Sequence, residues 1–290
     1  MVWFTRSSRF RILAIALVGA LTLALTVNAP TGVQAQLRST TNKALGEKLP
    51  NQWEFSPPRG PGDLVPTNRE GAATRSGPQQ CVQGNKSLTA LVPASGVGET
   101  AAEYPTFSWF MPQTSAPAME FVLRDAKGND VYRSQYALAS FGAYSSQSAA
   151  PSGLGQVNSV SQEPKVSNVS TSRIMSLTLP AFANLSPLEI GQEYSWTLAL
   201  VCNPDERSKD IIVGGAIKRV PPNPTLSRRI QQASVEERVA LYADARLWYE
   251  TLSSLVELRR DRPDNNDLTQ AWNKLLASVG LDAIAKEPGN

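Results

Sequence analysis

From residue 87 to 220 apolar and polar positions alternate in short bursts separated by turn residues; beyond 224 the apolar positions recur every three or four. The first pattern suits half-buried strands and the second amphipathic helices. Strands are expected at "SLTALVP" (87–93), "PTFSWF" (105–110), "MEFVLRD" (119–125) and "DVYRSQYAL" (130–138). Others are expected at "RIMSLTLPA" (173–181), "EYSWTLALVC" (193–202) and "DIIVGGAIKRV" (210–220), all rich in β-branched or aromatic residues. "DAKGND" turns a hairpin between the third and fourth, with Gly128 and Asn129 available for positive φ. Strands in such a run, with no helical pattern between them, predict an antiparallel β-sandwich over residues 81–222. The helical regime opens at Pro224, with Asn223 as cap and Pro at the first position, and runs to about Gln232. Ser234 and Glu237 form a capping box for one long helix with Leu241, Ala245, Trp248, Leu252 and Leu255 on a single face, ending near Arg260. A last helix, from Asp267 to Gly280, presents Leu268, Ala271, Trp272, Leu275 and Val279 and folds back as a hairpin partner. Residues 223–290 are thus expected to form a helical C-terminal unit beside the sandwich.

Two stretches carry no period. Residues 36–80 are rich in Pro and Gly and are predicted to be disordered, with Trp53 and Phe55 read as isolated aromatics first and, alternatively, as rings docked onto something. Residues 139–172 are dominated by Ser, Gly, Gln and Asn and read as a flexible loop. The remaining 1–35 segment has the order of a secretory signal: Arg6, Arg9 and Arg11, then "ILAIALVGALTLAL", then a small-x-small site ending at Ala35, with Ala29 as the other option. The apolar run is shorter than a spanning helix needs, so cleavage is expected and an uncleaved anchor is the alternative. Release would leave a soluble chain in a periplasmic or secreted location.

In "LEIGQEYSW", Leu188, Gly191 and Tyr194 are evenly spaced three residues apart. This resembles the tyrosine corner of immunoglobulin-like and fibronectin type III sandwiches, in which the Tyr hydroxyl returns to an upstream backbone group. Trp109 in "PTFSWF" is similar to the core Trp of an early strand in those modules. The resemblance implies fold alone.

Charge and cysteine usage narrow the function. Three arginines and no acids precede Gln36, so a chain starting there balances its charges, against 28 basic and 25 acidic residues in the whole sequence. No basic stripe remains for nucleic acid. Cys81 and Cys202 are the only cysteines; with an export signal they are expected to form a disulfide, two buried free thiols being the alternative. The sequence has no histidine, which excludes Ser-His-Asp and Cys-His catalysis and His-ligated metals. Phosphate-loop and dinucleotide motifs are also missing, so no catalytic, cofactor or metal residue is assigned. Carboxylate-pair hydrolysis remains formally open. Glu99, Glu103, Glu120, Asp125 and Asp130 are its candidates by location, though solvated surface charge is the simpler reading. The acidic runs at 203–210 and 261–267 lack the spacing of a calcium loop and read as a turn and a helix cap. Asn85, Asn168 and Asn184 begin sequons. Trp248, Tyr249 and Trp272 fit a helix core first and, alternatively, a candidate partner surface.

Several stretches together resemble a known family: "GAATRSG" before Cys81, "YPTFSWFMP", "MEFVLRDAKGNDVY", "YSWTLALVCNPDERSKDIIVGGAIKRV" and "LWYETLSSLVELR" with "AWNKLLASVGL". They are similar to the cyanobacterial exported proteins catalogued as domain of unknown function 928, from about Gly71 to the end, with the Ser-rich stretch from Ala139 less similar than the rest. The resemblance implies a periplasmic or surface protein and brings no activity or catalytic residue. The expectation is a non-enzymatic exported module that binds another envelope or secreted protein. A carbohydrate-binding envelope module is the alternative, and a carboxylate-dependent hydrolase a more distant one.

Overall fold

Alternation along "EYSWTLALV" places Tyr194, Trp196, Leu198 and Leu200 on one side of a strand, and all four are buried. The computed structural model describes residues 48–50, 53–55, 68–71, 81–138, 172–181 and 185–287. The strands are β1 (Thr89–Ala90), β2 (Val97–Thr100), β3 (Thr106–Met111), β4 (Ala118–Arg124), β5 (Asp130–Ala137), β6 (Arg173–Thr178), β7 (Glu193–Val201) and β8 (Ile211–Arg219). They form two sheets, β1-β3-β6 and β2-β8-β7-β4-β5. Most pairs are antiparallel, but β2 runs parallel to β8, so the larger sheet is mixed rather than wholly antiparallel. The fold is mainly β with C-terminal helices. The signal-like segment 1–35, most of the Ser-rich stretch 139–172, Asn168 and Asn184 lie outside the described residues.

Five helices follow: α1 (Pro224–Gln232), α2 (Val235–Asp244), α3 (Trp248–Asp261), α4 (Asn266–Ser278) and the short α5 (Asp282–Ala285). The first two caps are those the sequence signals, and α4 starts one residue earlier than expected. Asn223 accepts from the Thr225 and Leu226 amides, Ser234 and Glu237 cap α2 reciprocally, and Asn265 accepts from the Leu268 amide. The expected long helix from 235 to 260 is two helices. Between them Arg246 takes a φ of 60°, a left-handed conformation that ends α2 and redirects the chain into α3.

The redirection lays α3 against the sheets. Phe107 of β3 meets Trp196 at 5.3 Å and Tyr249 at 5.4 Å between ring centroids, both edge-on, so one ring joins the small sheet, the large sheet and α3. The Trp196 indole donates to the Tyr249 hydroxyl (3.0 Å), which donates to the Ala216 carbonyl (3.1 Å). The Trp248 indole donates to the Leu91 carbonyl at 3.0 Å. Gly98 of β2 makes the approach possible, since a Cβ there would fall 2.9 Å from both the Trp248 and Tyr249 rings. A single apolar core therefore runs through strands and helices, with no break at residue 222.

Parts of the stretch expected to be disordered are built into that core. Leu49 and Phe55 are buried, and Phe55 meets Trp248 edge-on at 5.0 Å. Residues 68–71 stitch the two sheets together: Ala90 N donates to Arg69 O, Gly71 N to Leu88 O, and Gly214 N to Asn68 O. Arg69 then reaches the carbonyls of Val279 and Gly280 at 2.6 and 3.0 Å, capping the end of α4. The expectation of isolated aromatics fails here because docked apolar side chains offset the ordering entropy that composition alone would leave unmet.

Cys81 and Cys202 are joined by a disulfide with Cα atoms 5.4 Å apart and a sequence separation of 121. In the chain-entropy model a loop of that size is worth up to about 4–5 kcal/mol. The bridge ties the start of the sandwich to the end of β7.

Candidate functional site

The residues singled out from sequence fall in three places. Leu188, Gly191 and Tyr194 form a built corner: the Tyr194 hydroxyl accepts from the Glu189 amide at 2.9 Å, and Gly191 turns the chain at φ +83°. Buried Arg219 closes it from β8, donating to the Leu188 carbonyl and, at 3.2 Å, to Glu103 Oε1. Trp109 is wholly buried on β3, on the same side as Phe107. Trp248, Tyr249 and Trp272 are 0, 1 and 0% exposed. They are core, and the candidate partner surface built on them is corrected: a partner cannot reach side chains spent on holding the helices to the sheets. Arg259 lies over the Trp272 ring, 4.5 Å from its centroid, and shields it further.

Four of the five carboxylates are engaged by cations or by the donors of a turn. Glu120 and Asp130 both hold Arg133, at 2.9 and 2.7 Å, and Glu120 also meets Arg207 at 3.4 Å. Asp130 titrates below its ordinary range, chiefly through the Arg133 hydrogen bond. Asp125 organises the hairpin turn, accepting from the Lys127 and Asn129 amides and the Asn129 side chain; that last bond does most to hold its carboxyl low. Glu103 pairs with Arg219. Glu99 is half-buried, and desolvation raises it against the pull of Lys218 and Arg246. In the 203–210 run, Asn203 accepts from the Asp205 amide while Lys209 and Arg207 pair with Glu206 and Asp210. In the 261–267 run, Asn265 caps α4. Both are turn and cap chemistry.

One concave feature that mixes an apolar wall with polar groups was not legible in the sequence. A cleft of about 380 Å³ opens between α1, α2 and the ends of β2 and β8. Ala101, Val220, Leu226 and Leu247 give it apolar walls, while Arg229 and Asp244 supply one charge of each sign. Neither Arg229 nor Asp244 has an ion pair among the described residues. The same two residues also line an adjoining hollow of about 420 Å³, flanked by Lys48 and Glu237. The cleft's outer wall is α1, a helix with no buried side chain. Apolar pockets with a few convergent polar groups are the default location for a binding site.

Behind the cleft lies Glu250, in the first turn of α3. Its Oε1 accepts from Thr100 Oγ1 (2.7 Å) and from the amides of Ala101 (2.8 Å) and Ala102 (2.9 Å). Its Oε2 is sealed from solvent and has no hydrogen-bond partner among the described residues. Enclosure pushes this carboxyl above the ordinary glutamate range, against hydrogen bonds from Thr100, its own backbone, Ala101 and Ala102 that favour the anion. Nothing in "WYETL" signals this, because the donors lie on a strand about 150 residues earlier.

The chain matches the family model described as Domain of Unknown Function (DUF928) over residues 70–146 and 153–289, and it belongs to that family. The interruption falls inside the Ser-rich stretch. No curated protein and no solved structure matches the chain.

Proposed function

We propose that this protein is an exported, non-enzymatic module of the cell envelope that binds a segment of another envelope or secreted protein in the cleft between α1 and α2. The observation that carries the reading is the cleft itself: an apolar wall with Arg229 and Asp244 facing it, both without an ion pair among the described residues. A segment that presents an apolar side chain between an acidic and a basic residue matches those charges. The order of charged, apolar and small residues before Gln36 supports export, with cleavage after Ala35 and a periplasmic or secreted location. Among the described residues no helix is long and apolar enough to cross a membrane. The non-enzymatic part rests on a sequence without histidine, on both cysteines being bridged, and on carboxylates engaged by cations or amides. The hydrogen bond from Glu189 to Tyr194 favours an immunoglobulin- or fibronectin type III-like sandwich.

The glycan alternative draws less support. Sugar platforms use exposed aromatic faces, whereas Trp109, Trp196, Trp248 and Trp272 are buried and, among the described residues, the exposed large apolar ones are Ile190, Ile212 and Val235. The test is photo-crosslinking in native cells, with a benzophenone amino acid at Arg229 or, as control, at Ile212 on the sheet face. A discrete protein adduct from position 229 alone is expected, its mapped peptide carrying the charge pair. Equal adducts from both positions, or none from 229, would overturn the assignment.

A further inference from the structure

Three of the sheet edges are occupied, at least in part, by described residues. Residues 69–71 pair along β1, the Ser95 hydroxyl bonds both the amide and the carbonyl of Val97 on β2, and Arg260 donates to the Ile174 carbonyl of β6. The remaining edge is β5, a strand of eight residues. Leu138 N donates to the Pro117 carbonyl, so by antiparallel alternation Tyr132, Ser134 and Tyr136 exchange their backbone bonds with β4. Arg133, Gln135 and Ala137 therefore aim their amides and carbonyls away from the sheet, and no described residue bonds those groups. The strand also lacks the usual protection of an edge: it has no Pro, no Lys and no charge turned inwards.

We propose that β5 pairs antiparallel with β5 of a second copy of this chain, about a two-fold axis at Ser134, joining the two larger sheets into one. The strand reads alike in both directions: Tyr132, Arg133, Ser134, Gln135 and Tyr136 run tyrosine, long polar, serine, long polar, tyrosine from either end. Turned end for end, each Tyr132 lies opposite Tyr136 of the other copy and each Arg133 opposite Gln135, with the two Ser134 residues facing at the axis. Because Ser134 spends its backbone bonds on β4, the pair at the axis is of the non-hydrogen-bonded kind. Arg133 and Gln135, whose groups aim outwards, then make the hydrogen-bonded pairs on either side. The register that matches the side chains is thus one that matches backbone donors to acceptors. Slipping to the next register that keeps the backbone match sets Arg133 against Arg133 in one direction and Tyr136 against Ser134 in the other. A foreign strand would require no such symmetry in β5.

Charge does not oppose the pairing. Arg133 is held within its own subunit by Asp130 at 2.7 Å and Glu120 at 2.9 Å, and Arg207 beside it by Asp210 and Glu120. The tyrosines are already ordered: their hydroxyls lie 3.1 Å apart, and the Tyr132 ring sits 6.2 Å from Phe121. Little side-chain freedom is left to lose on association. The chemistry is strand addition, in which backbone bonds supply the attraction and side chains the selectivity. A two-fold contact uses the same edge of both copies, so assembly closes at a dimer. None of the residues lining the cleft between α1 and α2 lies on β5, so the dimer is independent of that site.

Analytical ultracentrifugation of the chain from Gln36 should show a dimer that dissociates on dilution. Gln135→Pro deletes an outward amide in each copy and leaves the bonds to β4 in place, so it should weaken the dimer by about tenfold or more. If that variant does not fold, Gln135→Arg serves instead. Its side chain lies opposite Glu120 in its own sheet but opposite Arg133 of the second copy, so it should keep the monomer folded and weaken the dimer several-fold. Cysteine scanning reads the register. In Ser134→Cys the two Cα atoms at the axis would be about 4.5 Å apart, within reach of a disulfide, and mild oxidation should give a covalent dimer. In Gln135→Cys the two positions lie on the diagonal, about 7–8 Å apart, and should stay unlinked. A monomer at every concentration overturns the proposal, whatever else covers the edge. So does a dimer indifferent to both Gln135 changes, a Ser134→Cys chain that does not cross-link, or equal cross-linking from the two cysteines.

Discussion

Helices α1 and α3 lie about twenty residues apart in one helical segment, and the sequence marks both as amphipathic. Yet α1 buries no side chain, whereas α3 buries Trp248, Tyr249, Thr251, Leu252, Leu255, Val256 and Leu258. The difference comes from what each face meets. α3 reaches β2 and β3 through the gap left by Gly98, and its rings enter the aromatic junction around Phe107. α1 leans on α2, with Leu226 and Ile230 partly buried and Arg238 donating to the Ile230 carbonyl. Helical periodicity reports that a face exists and says nothing about how deep its partner lies. The practical lesson is a division of labour: the stability of the fold resides in α3, and α1 is free to serve a surface.

The largest effect that tests this division is removal of the whole helical segment. A chain ending at Asn223 would expose Gly98, Trp196, Phe107 and the Leu91 carbonyl, all now covered by α3. It should lose its cooperative thermal transition and its near-ultraviolet dichroism, as a core deprived of one layer does. If that truncated chain still melts cooperatively, the sheets are a separate domain and the contrast between α1 and α3 loses its meaning.

The strand plan was largely written in the sequence. Six of the expected strands appear within two residues of their bounds at each end or trimmed at one, because half-buried alternation is a local signal. The first shrank to Thr89–Ala90, where pairing with β3 stops. β2 was missed: "VGET" has four residues, one of them Gly, and gains its place only by lying parallel to β8. The break at Arg246 has no Gly or Pro to announce it, so one continuous apolar stripe read as one helix. The turn at Gly191 and the bond from Glu189 to the Tyr194 hydroxyl involve neighbours in sequence, which is why those residues could be singled out there. Glu250 and the cleft were not, since both are assembled from β2, β8 and three helices that meet only in the folded chain.

A smaller change probes how α3 is held. Tyr249→Phe keeps the ring and deletes a hydroxyl that accepts from Trp196 and donates to Ala216. Two buried polar groups would lose their partner, and about 1–3 kcal/mol of stability should go with it. Urea unfolding would show a lower midpoint with an unchanged slope. In a Trp196→Phe background the same change should be milder, because one of the stranded groups is already gone. Equal losses in both backgrounds would mean that the indole is not the partner that matters.

The smallest effect is expected in α1, and it sharpens the comparison most. Ile230 is only partly buried and Arg229 is exposed. Ile230→Ala removes methyl and methylene groups that water already reaches in part, so it should fall well short of the roughly 2–5 kcal/mol typical of buried Ile→Ala changes. Arg229→Ala touches no ion pair among the described residues and should stay within about 0.5 kcal/mol of wild type. The corresponding core change, Leu252→Ala in α3, removes a fully buried side chain and should reach that full range. Thermal or urea unfolding of the three variants side by side gives the ratio directly. A loss at Ile230 as large as at Leu252 would place α1 in the structural core and remove the argument that it is free to present Arg229 to a partner. A near-neutral pair in α1, joined to loss of the cross-linked adduct in Arg229→Ala with the benzophenone moved to Leu226, would tie the loosely held helix to binding rather than to folding.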